Sequence, residues 1–204
     1  MIAMILAAAT QAAAVPTPIP PAAAAPLEAP PKPVFKPINH DEDYSEFRPI
    51  HDANLWTRLE HLPIADDSYA TVGGELRLRP ELRLGERWGR GPQDDDGNFQ
   101  QRTRLWGDVQ VEGVFRAFVD LEHATSAGLD SVVAPIEEWR LDFNQAFVEA
   151  HHKVGDARIA IRLGRQEVGI GNQTLFDMRE GANTRRSLDV LRVLGGREDG
   201  MADC

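Results

Sequence analysis

The stretch SYATVGGELRLRPELRLGERW, Ser68–Trp88, decides the fold of this chain. From Glu75 to Leu84 every odd position is charged, and every even position is leucine except for one proline. A strict period of two is typical of a β-strand with one apolar and one charged face, whereas at about 100° per residue the same leucines would scatter around a helix. A long strand with leucine on one side and arginine on the other suits a wall between lipid and an aqueous path for anions.

Composition narrows the possible classes of protein. The chain has 204 residues and a formal net charge of −10, which argues against a nucleic-acid partner. The single cysteine, Cys204, predicts neither a disulfide framework nor a cysteine-based metal site. No stretch holds the roughly 20 apolar residues that a transmembrane helix needs.

The first part of the chain predicts export. Met1–Ala9, MIAMILAAA, has the character of the hydrophobic region of a secretory signal, and small residues at Ala12–Ala14 suit cleavage. We therefore expect residues 1–14 to be a signal-peptide-like segment. Residues 15–37 are dominated by proline and alanine, which predicts an extended linker.

The remainder divides into a lead-in, a sheet and a tail. Residues 38–67 are acidic and mixed, and we interpret them as a periplasmic lead-in with one short helical turn near Asn54–Leu59. Residues 68–194 are expected to form a partial antiparallel β-barrel, an all-β fold that here is an incomplete curved sheet of about six strands. Residues 195–204 do not continue the strand pattern and are interpreted as a tail.

The predicted connections alternate in length. The strands are expected at about 69–87, 101–112, 114–123, 138–152 and 157–167, and a sixth begins near Leu188. The connections between them are long, short, long, short and long, which is the asymmetry of a bacterial outer-membrane barrel with its N-terminus in the periplasm. Strand four has a mixed pattern, because Phe143 and Phe147 share parity with Gln145 and Glu149, so its faces stay open.

Arginines collect on the polar face of four predicted strands. A one-residue slip of the first strand would put three of them into lipid, at a cost of roughly 6–12 kcal/mol, so they are expected to line the lumen. There they would form an electropositive path that binds carboxylates, with acids such as Glu75, Glu81, Asp108 and Asp120 holding them in place. The predicted lumenal arginines are Arg77, Arg79, Arg83, Arg102, Arg104, Arg116, Arg158 and Arg162.

Other constellations carry less weight. Asp120 and Glu122 share a strand face and could form a glycosidase-like pair, but lumenal acids balancing Arg104 and Arg116 are the favoured interpretation. His151 and His152 point to opposite sides of a strand and cannot chelate one metal together. Asp94–Asn98 could hold calcium, although a solvated turn is favoured. We predict no catalysis, no cofactor and no metal.

The tryptophans of the predicted strands offer a further hint of a membrane. Trp88, Trp106 and Trp139 are expected near strand ends or loops. Trp88 and Trp139 suit an interfacial aromatic girdle, and a buried core is the alternative.

Three stretches resemble the alginate-export family of outer-membrane porins. They are Gly74–Gly85 with its LRLRPELRLG pattern, Asn144–Glu149 (NQAFVE), and Gly164–Val193, where GRQE is followed by REG.N.RRS.D. The resemblance covers about Tyr69–Val193. By this resemblance the matching positions are Arg165, Gln166, Glu167, Arg179, Glu180, Asn183, Arg185, Arg186 and Asp189.

The resemblance implies an outer-membrane porin that passes an anionic polysaccharide. Its implied partners are an alginate-like polyuronate or small carboxylates, outer-membrane lipid and periplasmic export proteins, with Arg165, Arg179, Arg185 and Arg186 joining the substrate-binding set. The family's barrel has many more strands, so we expect this chain to be a truncated or frameshifted fragment that is not autonomous. The alternative is a soluble, secreted β-sheet protein that binds carbohydrate.

Overall fold

The computed structural model describes residues 35–45, 47, 54–84, 96–128, 135–170, 174–197 and 200–203, with the backbone alone at 83, 96, 197 and 200–203. Eight strands are present among them, six of them long. Their bounds are β1 (Leu62–Ala65), β2 (Ser68–Arg83), β3 (Asp96–Val111), β4 (Phe115–Ala127), β5 (Trp139–Val154), β6 (Ala157–Gln166), β7 (Leu188–Arg197) and β8 (Gly200–Asp203).

The strands form one antiparallel sheet in which every strand pairs with its neighbours in sequence, in the order β1 to β8. The short connections are 66–67, 112–114, 155–156 and 198–199, and the long ones are 84–95, 128–138 and 167–187. The sheet is open in the described residues, since β1 and β8 form its two edges. The predicted all-β antiparallel class and the predicted alternation of connections are confirmed.

The burial of apolar and charged side chains in this sheet is the reverse of that in a water-soluble protein. Leu76, Leu78 and Leu82 on β2 are 64%, 55% and 70% exposed, whereas Arg102 and Arg104 on β3 are 0% and 3% exposed. Leucine belongs inside a water-soluble protein, and arginine is almost never fully buried there unless it is paired. We call the side that carries Arg102 and Arg104 the polar face, and the opposite side the apolar face.

A β-bulge explains the mixed pattern of the fourth predicted strand. Asp120 pairs with Gln145, but Leu121 pairs with Phe143, so Asn144 is an extra residue in β5. A bulge re-aims side chains, and here the face reverses across it. Phe143 is exposed on the apolar face, whereas Gln145 and Phe147 are buried on the polar face.

Two boundaries expected from the sequence are wrong. The polar run DDDGN favoured a loop until Gln101, but β3 begins at Asp96, because Arg83–Arg79 of β2 offer a continuous ladder of backbone partners. The C-terminal tail is also partly strand, since β7 reaches Arg197 and β8 pairs with it. Backbone hydrogen bonds can extend a hairpin whatever its side chains, so side-chain patterns miss such ends. The expected continuation of strand one to Arg87 lies outside the described residues.

Helix is scarce in the described residues. The predicted helical turn is α1 (Leu55–Leu59), and Asn54 caps it by accepting from the Thr57 backbone N–H at 3.0 Å. A 3₁₀ turn spans Asn39–Asp41. In the described part of the chain, no helix has the length and apolar character to cross a membrane. The predicted signal segment, and the linker up to residue 34, lie outside the described residues.

Gly164 in β6 is expected to resist substitution. Its φ is +134°, and a Cβ placed there would lie 2.3 Å from the Ala146 carbonyl oxygen of β5. Gly164→Ala should therefore lower the free energy of unfolding by about 1–3 kcal/mol, measured by urea titration in lipid vesicles. Gly107→Ala is the matched control, because a Cβ there meets no atom within 4 Å. Equal losses in the two variants would contradict the steric explanation.

Candidate functional site

The polar face is organised around Arg104, which lies in the middle of β3. Its guanidinium binds Asp120 of β4 through Nη2, and the same nitrogen lies 3.1 Å from Glu167 Oε1. Glu75 of β2 lies 3.6 Å from Nη1. Antiparallel register places these groups together, because Arg104 is paired with Glu75 on one side and with Glu122 on the other. A buried guanidinium needs such partners, since an unpaired charge in a low-dielectric site is strongly unfavourable.

Arg185 enters the same site from the connection between β6 and β7. Its Nε and Nη2 bind the two oxygens of Glu167 at 2.7 and 2.8 Å, a bidentate pair. Its backbone N–H donates to Glu122 at 3.1 Å, and its Nη1 binds Glu180. We call Arg104, Asp120, Asn144, Glu167 and Arg185 the Arg104 network.

The bulge in β5 completes this network. Asn144 donates through Nδ2 to Asp120 Oδ2 at 3.1 Å and to Glu167 Oε1 at 2.6 Å. In a regular strand Asn144 and Gln145 would point to opposite faces, whereas across the bulge both are buried on the polar face. The bulge therefore places an amide donor between two buried carboxylates.

Residues 180–185 of the connection 167–187 lie over the polar face, and we call this connection the returning connection. Asn183 is buried, and its Nδ2 donates to the carbonyls of Thr125 and Glu137 at 2.9 and 2.8 Å. Arg77 donates to the Glu180 carbonyl at 2.8 Å, and Arg79 donates to the Gly181 carbonyl at 2.6 Å. Two predicted lumenal arginines thus hold a loop in place.

A second group of side chains lies nearer the short connections. Arg116 of β4 binds Asp108 of β3 with Nε–Oδ1 and Nη2–Oδ2 distances of 2.9 and 2.8 Å. Arg162 of β6 donates to Glu149 at 2.6 Å, and its guanidinium carbon lies 4.4 Å from the ring centre of Phe147. These pairs are cross-strand neighbours on one face, so parity brings them together.

Residues 35–45, which we call the N-terminal segment, lie against this second group. Arg116 Nη2 donates to the His40 carbonyl at 2.7 Å, and Gln145 Nε2 donates to Asn39 Oδ1 at 2.9 Å. Arg185 Nη2 binds the Pro37 carbonyl. The sequence predicts only a periplasmic lead-in from residue 38 onward. Nothing in the acidic composition of this segment indicates that it contacts the polar face of the sheet.

His40 is the most deeply placed residue of that segment. It is 1% exposed, and its Nδ1 lies 2.6 Å from Gln145 Oε1. Its ring meets the rings of Phe118 and Phe147 edge-on, with centroid distances of 5.8 and 5.2 Å. Burial, and then the charges of Arg162 and Arg116, hold the pKa of His40 well below its usual range. The imidazole is therefore neutral at pH 7 when it is docked.

Docking of the N-terminal segment is expected to weaken in mild acid. An undocked imidazole takes up a proton near pH 6.5, but docked His40 does so only at lower pH, so the docked state loses stability as pH falls below about 6.5. Burial raises the pKa of Asp41, so the docked state takes up a proton on this carboxylate at a higher pH than the undocked state. That proton stabilises docking, but only at pH values below the raised pKa. Hydrogen exchange of the Asp41 and Glu42 amides between pH 7.5 and 5.5 measures this. In His40→Gln the acid-dependent loss of protection should disappear, and its persistence would contradict the role of His40.

The other predicted arginines are more scattered. Arg158 is half-buried on the polar face and donates to the Gly113 carbonyl at 3.3 Å, and Arg186 donates to the Asp177 carbonyl at 2.7 Å. Arg179 is exposed in the returning connection with a φ of +60°. The side chain of Arg83 lies outside the described residues.

Arg165 is misplaced by the sequence interpretation. It shares parity with Ile161 and Leu163 on β6, and so it lies on the apolar face. There it pairs with Asp189 of β7 at 2.9 Å, and both side chains are partly exposed. Its position near the end of β6 lets a charged pair remain close to water.

Carboxylates neutralise the buried arginines around Arg104. An electropositive path would not need so many acidic partners. Three guanidiniums in and beside the Arg104 network (Arg102, Arg104 and Arg185) lie among five carboxylates of the described residues, so the formal charge of this group is negative. Arg102 itself binds Glu75 at 2.7 Å and Glu180 at 3.1 Å. The carboxylates in question are Glu75, Asp120, Glu122, Glu167 and Glu180. An anion can therefore reach most of these guanidinium donors only by replacing a resident carboxylate or carbonyl; Arg102 Nη1, which has no hydrogen-bond partner among the described residues, is an exception.

Several residues of the site were not predicted. Phe118, Phe147 and Arg192 all face the polar side, and Arg192 donates to Gln166 at 3.2 Å. Phe118 has the parity of Arg116 and Asp120, so the signal was present in the alternation. Asp120 and Glu122, weighed as a catalytic pair, are instead partners of Arg104, while Arg116 is balanced by Asp108.

Comparison with known proteins agrees with this architecture. A family model described as alginate export matches residues 68–196, from the start of β2 almost to the end of β7. No curated protein and no solved structure matches the chain. The resemblance of the three motifs is confirmed. The chain belongs to the alginate export family, a family of transport proteins rather than enzymes, and this membership supports a role in alginate export and an outer-membrane location.

Proposed function

We propose that this chain forms part of the wall of an outer-membrane pore and passes an anionic polyuronate, alginate or a close analogue, along its polar face. The inverted burial of the sheet carries the proposal. Leucines of β2 are more than half exposed, whereas Arg102, Asp120 and Glu167 are fully buried. A wall between hydrocarbon and an aqueous lumen requires this arrangement, and a sheet in water does not favour it.

The chemistry of the polar face suits transport by exchange. Arg104, Arg116 and Arg185 each bind carboxylates that have the same chemistry as the acid group of a uronate unit. Replacing one carboxylate by another keeps each guanidinium paired throughout, so the barrier to movement stays low. A neutral polymer offers no such replacement. Arg102 Nη1 also lacks a hydrogen-bond partner among the described residues and can donate to a further oxygen atom.

The apolar face suits contact with lipid. Trp139, 40% exposed, is the first residue of β5, and an interfacial girdle would be placed at such a strand end. Trp106 belongs to the polar face, because its ring covers Gly73 so closely that a Cβ there would lie 2.5 Å away. The open edges of the described sheet require further strands, from a longer chain or from other copies, to close a pore.

Fractionation and passage together test the proposal. The protein should remain in outer membranes after a high-salt wash. Vesicles made from those membranes should admit fluorescent oligomannuronate faster than a neutral dextran of equal size, and vesicles from cells with a disrupted gene should lose this preference. Recovery in the soluble periplasm would favour a secreted carbohydrate-binding sheet, and equal passage of both polymers would contradict anion selectivity.

A further inference from the structure

Two phenylalanines form an aromatic site on the polar face, where charged residues otherwise prevail. Phe118 of β4 and Phe147 of β5 are directly paired across the strands, and their rings stack with centroids 5.3 Å apart and an interplanar angle of 16°. They are 1% and 4% exposed. We call Phe118, Phe147, Arg116, Arg162 and Gln145 the aromatic site.

Cations and amides surround the two rings. Arg162 lies over Phe147 at 4.4 Å, and Arg116 lies 5.8 Å from the centre of Phe118. Gln145 supplies an amide on the same strand as Phe147. The site thus combines an apolar ring surface with guanidinium donors, which is an unusual combination for a wall of ion pairs.

The present occupant of the aromatic site belongs to the same chain. His40 places its ring against both phenylalanines, and its carbonyl accepts from Arg116 at 2.7 Å. The His40 ring fills the apolar part of the site, and its carbonyl oxygen takes the guanidinium. The Pro37 carbonyl occupies Arg185 in the same way.

We propose that the aromatic site is a binding subsite for one uronate unit of the polymer, and that the N-terminal segment is a plug that leaves when the polymer binds. A pyranose ring can lay its C–H face on the aromatic pair, as the His40 ring edge does now. Its carboxylate can take the Arg116 donor that the His40 carbonyl occupies, and charge-assisted pairs are the stronger ones. The next uronate unit can take the Arg185 donor that the Pro37 carbonyl leaves.

This subsite rests on the proposed function for its ligand class, but binding can be tested without transport. The probe is trimeric mannuronate, added to the full chain in detergent and followed by calorimetry. Maltotriose controls for a neutral ring, and succinate controls for carboxylate alone. We expect the mannuronate trimer to bind and both controls to bind at least about tenfold more weakly, because neither satisfies both parts of the site.

Variants separate the plug from the subsite. His40→Ala should raise the apparent affinity for the trimer about tenfold, since removing the competitor raises the fraction of competent sites. Phe147→Leu keeps an apolar side chain but removes the ring, and should lower the affinity about fivefold. His152→Ala is the matched control, because His152 is exposed and lies beyond the site.

The unmodified protein gives an independent readout. Binding of the trimer should speed hydrogen exchange at the Asp41 and Glu42 amides, which bond to Ile38 and Asn39 within the plug. Unchanged exchange on saturation, or equal affinities in His40→Ala and His152→Ala, would overturn the plug. Equal binding of succinate and the trimer would overturn the subsite. If polymer passes and these variants have no effect, the transport role is supported and the subsite is contradicted. If the trimer binds but no polymer passes, only the transport role is contradicted.

Discussion

Arg104→Met is expected to lower the free energy of unfolding by about 3–5 kcal/mol, the largest effect of any single change at this site. The substitution leaves Asp120 and Glu167, both 0% exposed, without the guanidinium that binds them. Among the described residues Asp120 then has no cationic partner and Glu167 keeps only Arg185, so the two buried carboxylates must repel each other or take up protons. Urea titration of the protein in lipid vesicles, followed by tryptophan fluorescence, measures the loss.

Arg165→Met provides the control with the same change of charge. Arg165 pairs with Asp189 on the apolar face, and these side chains are 37% and 70% exposed. Exposed pairs contribute about 0–1 kcal/mol, so the control should lose no more than that. Similar losses in the two variants would show that the Arg104 network is hydrated and that its burial has no energetic weight.

Alternation of side chains was sufficient to predict the core of the sheet. In β2 and β3, period two separates Leu76 and Leu105 on the apolar face from Arg77 and Arg104 on the polar face. In the proposed pore wall, lipid and lumen would impose opposite preferences on the two sides. A register error would be costly in either environment, so the pattern is strict. The same alternation places Phe118 on the polar face, between the charged residues Arg116 and Asp120.

Alternation failed where the backbone departs from a regular strand. In β5 the extra residue Asn144 reverses the faces, so Phe143 and Phe147 have equal parity in the sequence and opposite faces in the fold. The odd or even number of a residue predicts its face only in a regular strand, and the sequence pattern does not show where a bulge lies. Arg165 was misplaced for a related reason, since the family motif that contains it says nothing about the side to which each residue points.

The contacts that fill the polar face could not be predicted at all. The N-terminal segment and the returning connection bind through carbonyls, as with Arg116 to His40 and Arg79 to Gly181. Every residue has a carbonyl, so such contacts leave no signature in the sequence. Alternation therefore places Arg102, Arg104 and Arg116 on one face, whereas most of their partners leave no signal in the sequence. The role of these arginines in binding a substrate stays a prediction.

These partners change how the polar face is understood. A row of unpaired arginines would bind a polyanion tightly and release it slowly, because conduction requires binding that is weak enough to reverse. Resident carboxylates at Asp108, Glu149 and Glu167 pair with these arginines and, in the proposed passage, would compete with the polymer at each step. The acidic residues are thus as necessary to the proposed passage as the arginines are.

A charge on the apolar face should reveal whether that face meets lipid. Leu105 is 55% exposed in the middle of β3, between Gly74 and Leu121 of the adjacent strands. An arginine near the bilayer midplane costs about 2–4 kcal/mol, so Leu105→Arg should lower the free energy of unfolding by that amount. Urea titration in vesicles of fixed lipid composition gives the value.

Depth supplies the control for this experiment. Val111, 38% exposed, ends β3 beside the short connection 112–114, where a charge can reach the headgroups. Val111→Arg should therefore cost only about 0–1 kcal/mol. In a sheet surrounded by water both positions are simply exposed, and both changes would stay within about 0.5 kcal/mol of zero. A loss at Leu105 that exceeds the loss at Val111 by more than about 1 kcal/mol requires a hydrocarbon layer at the height of Leu105, and losses independent of depth would exclude one.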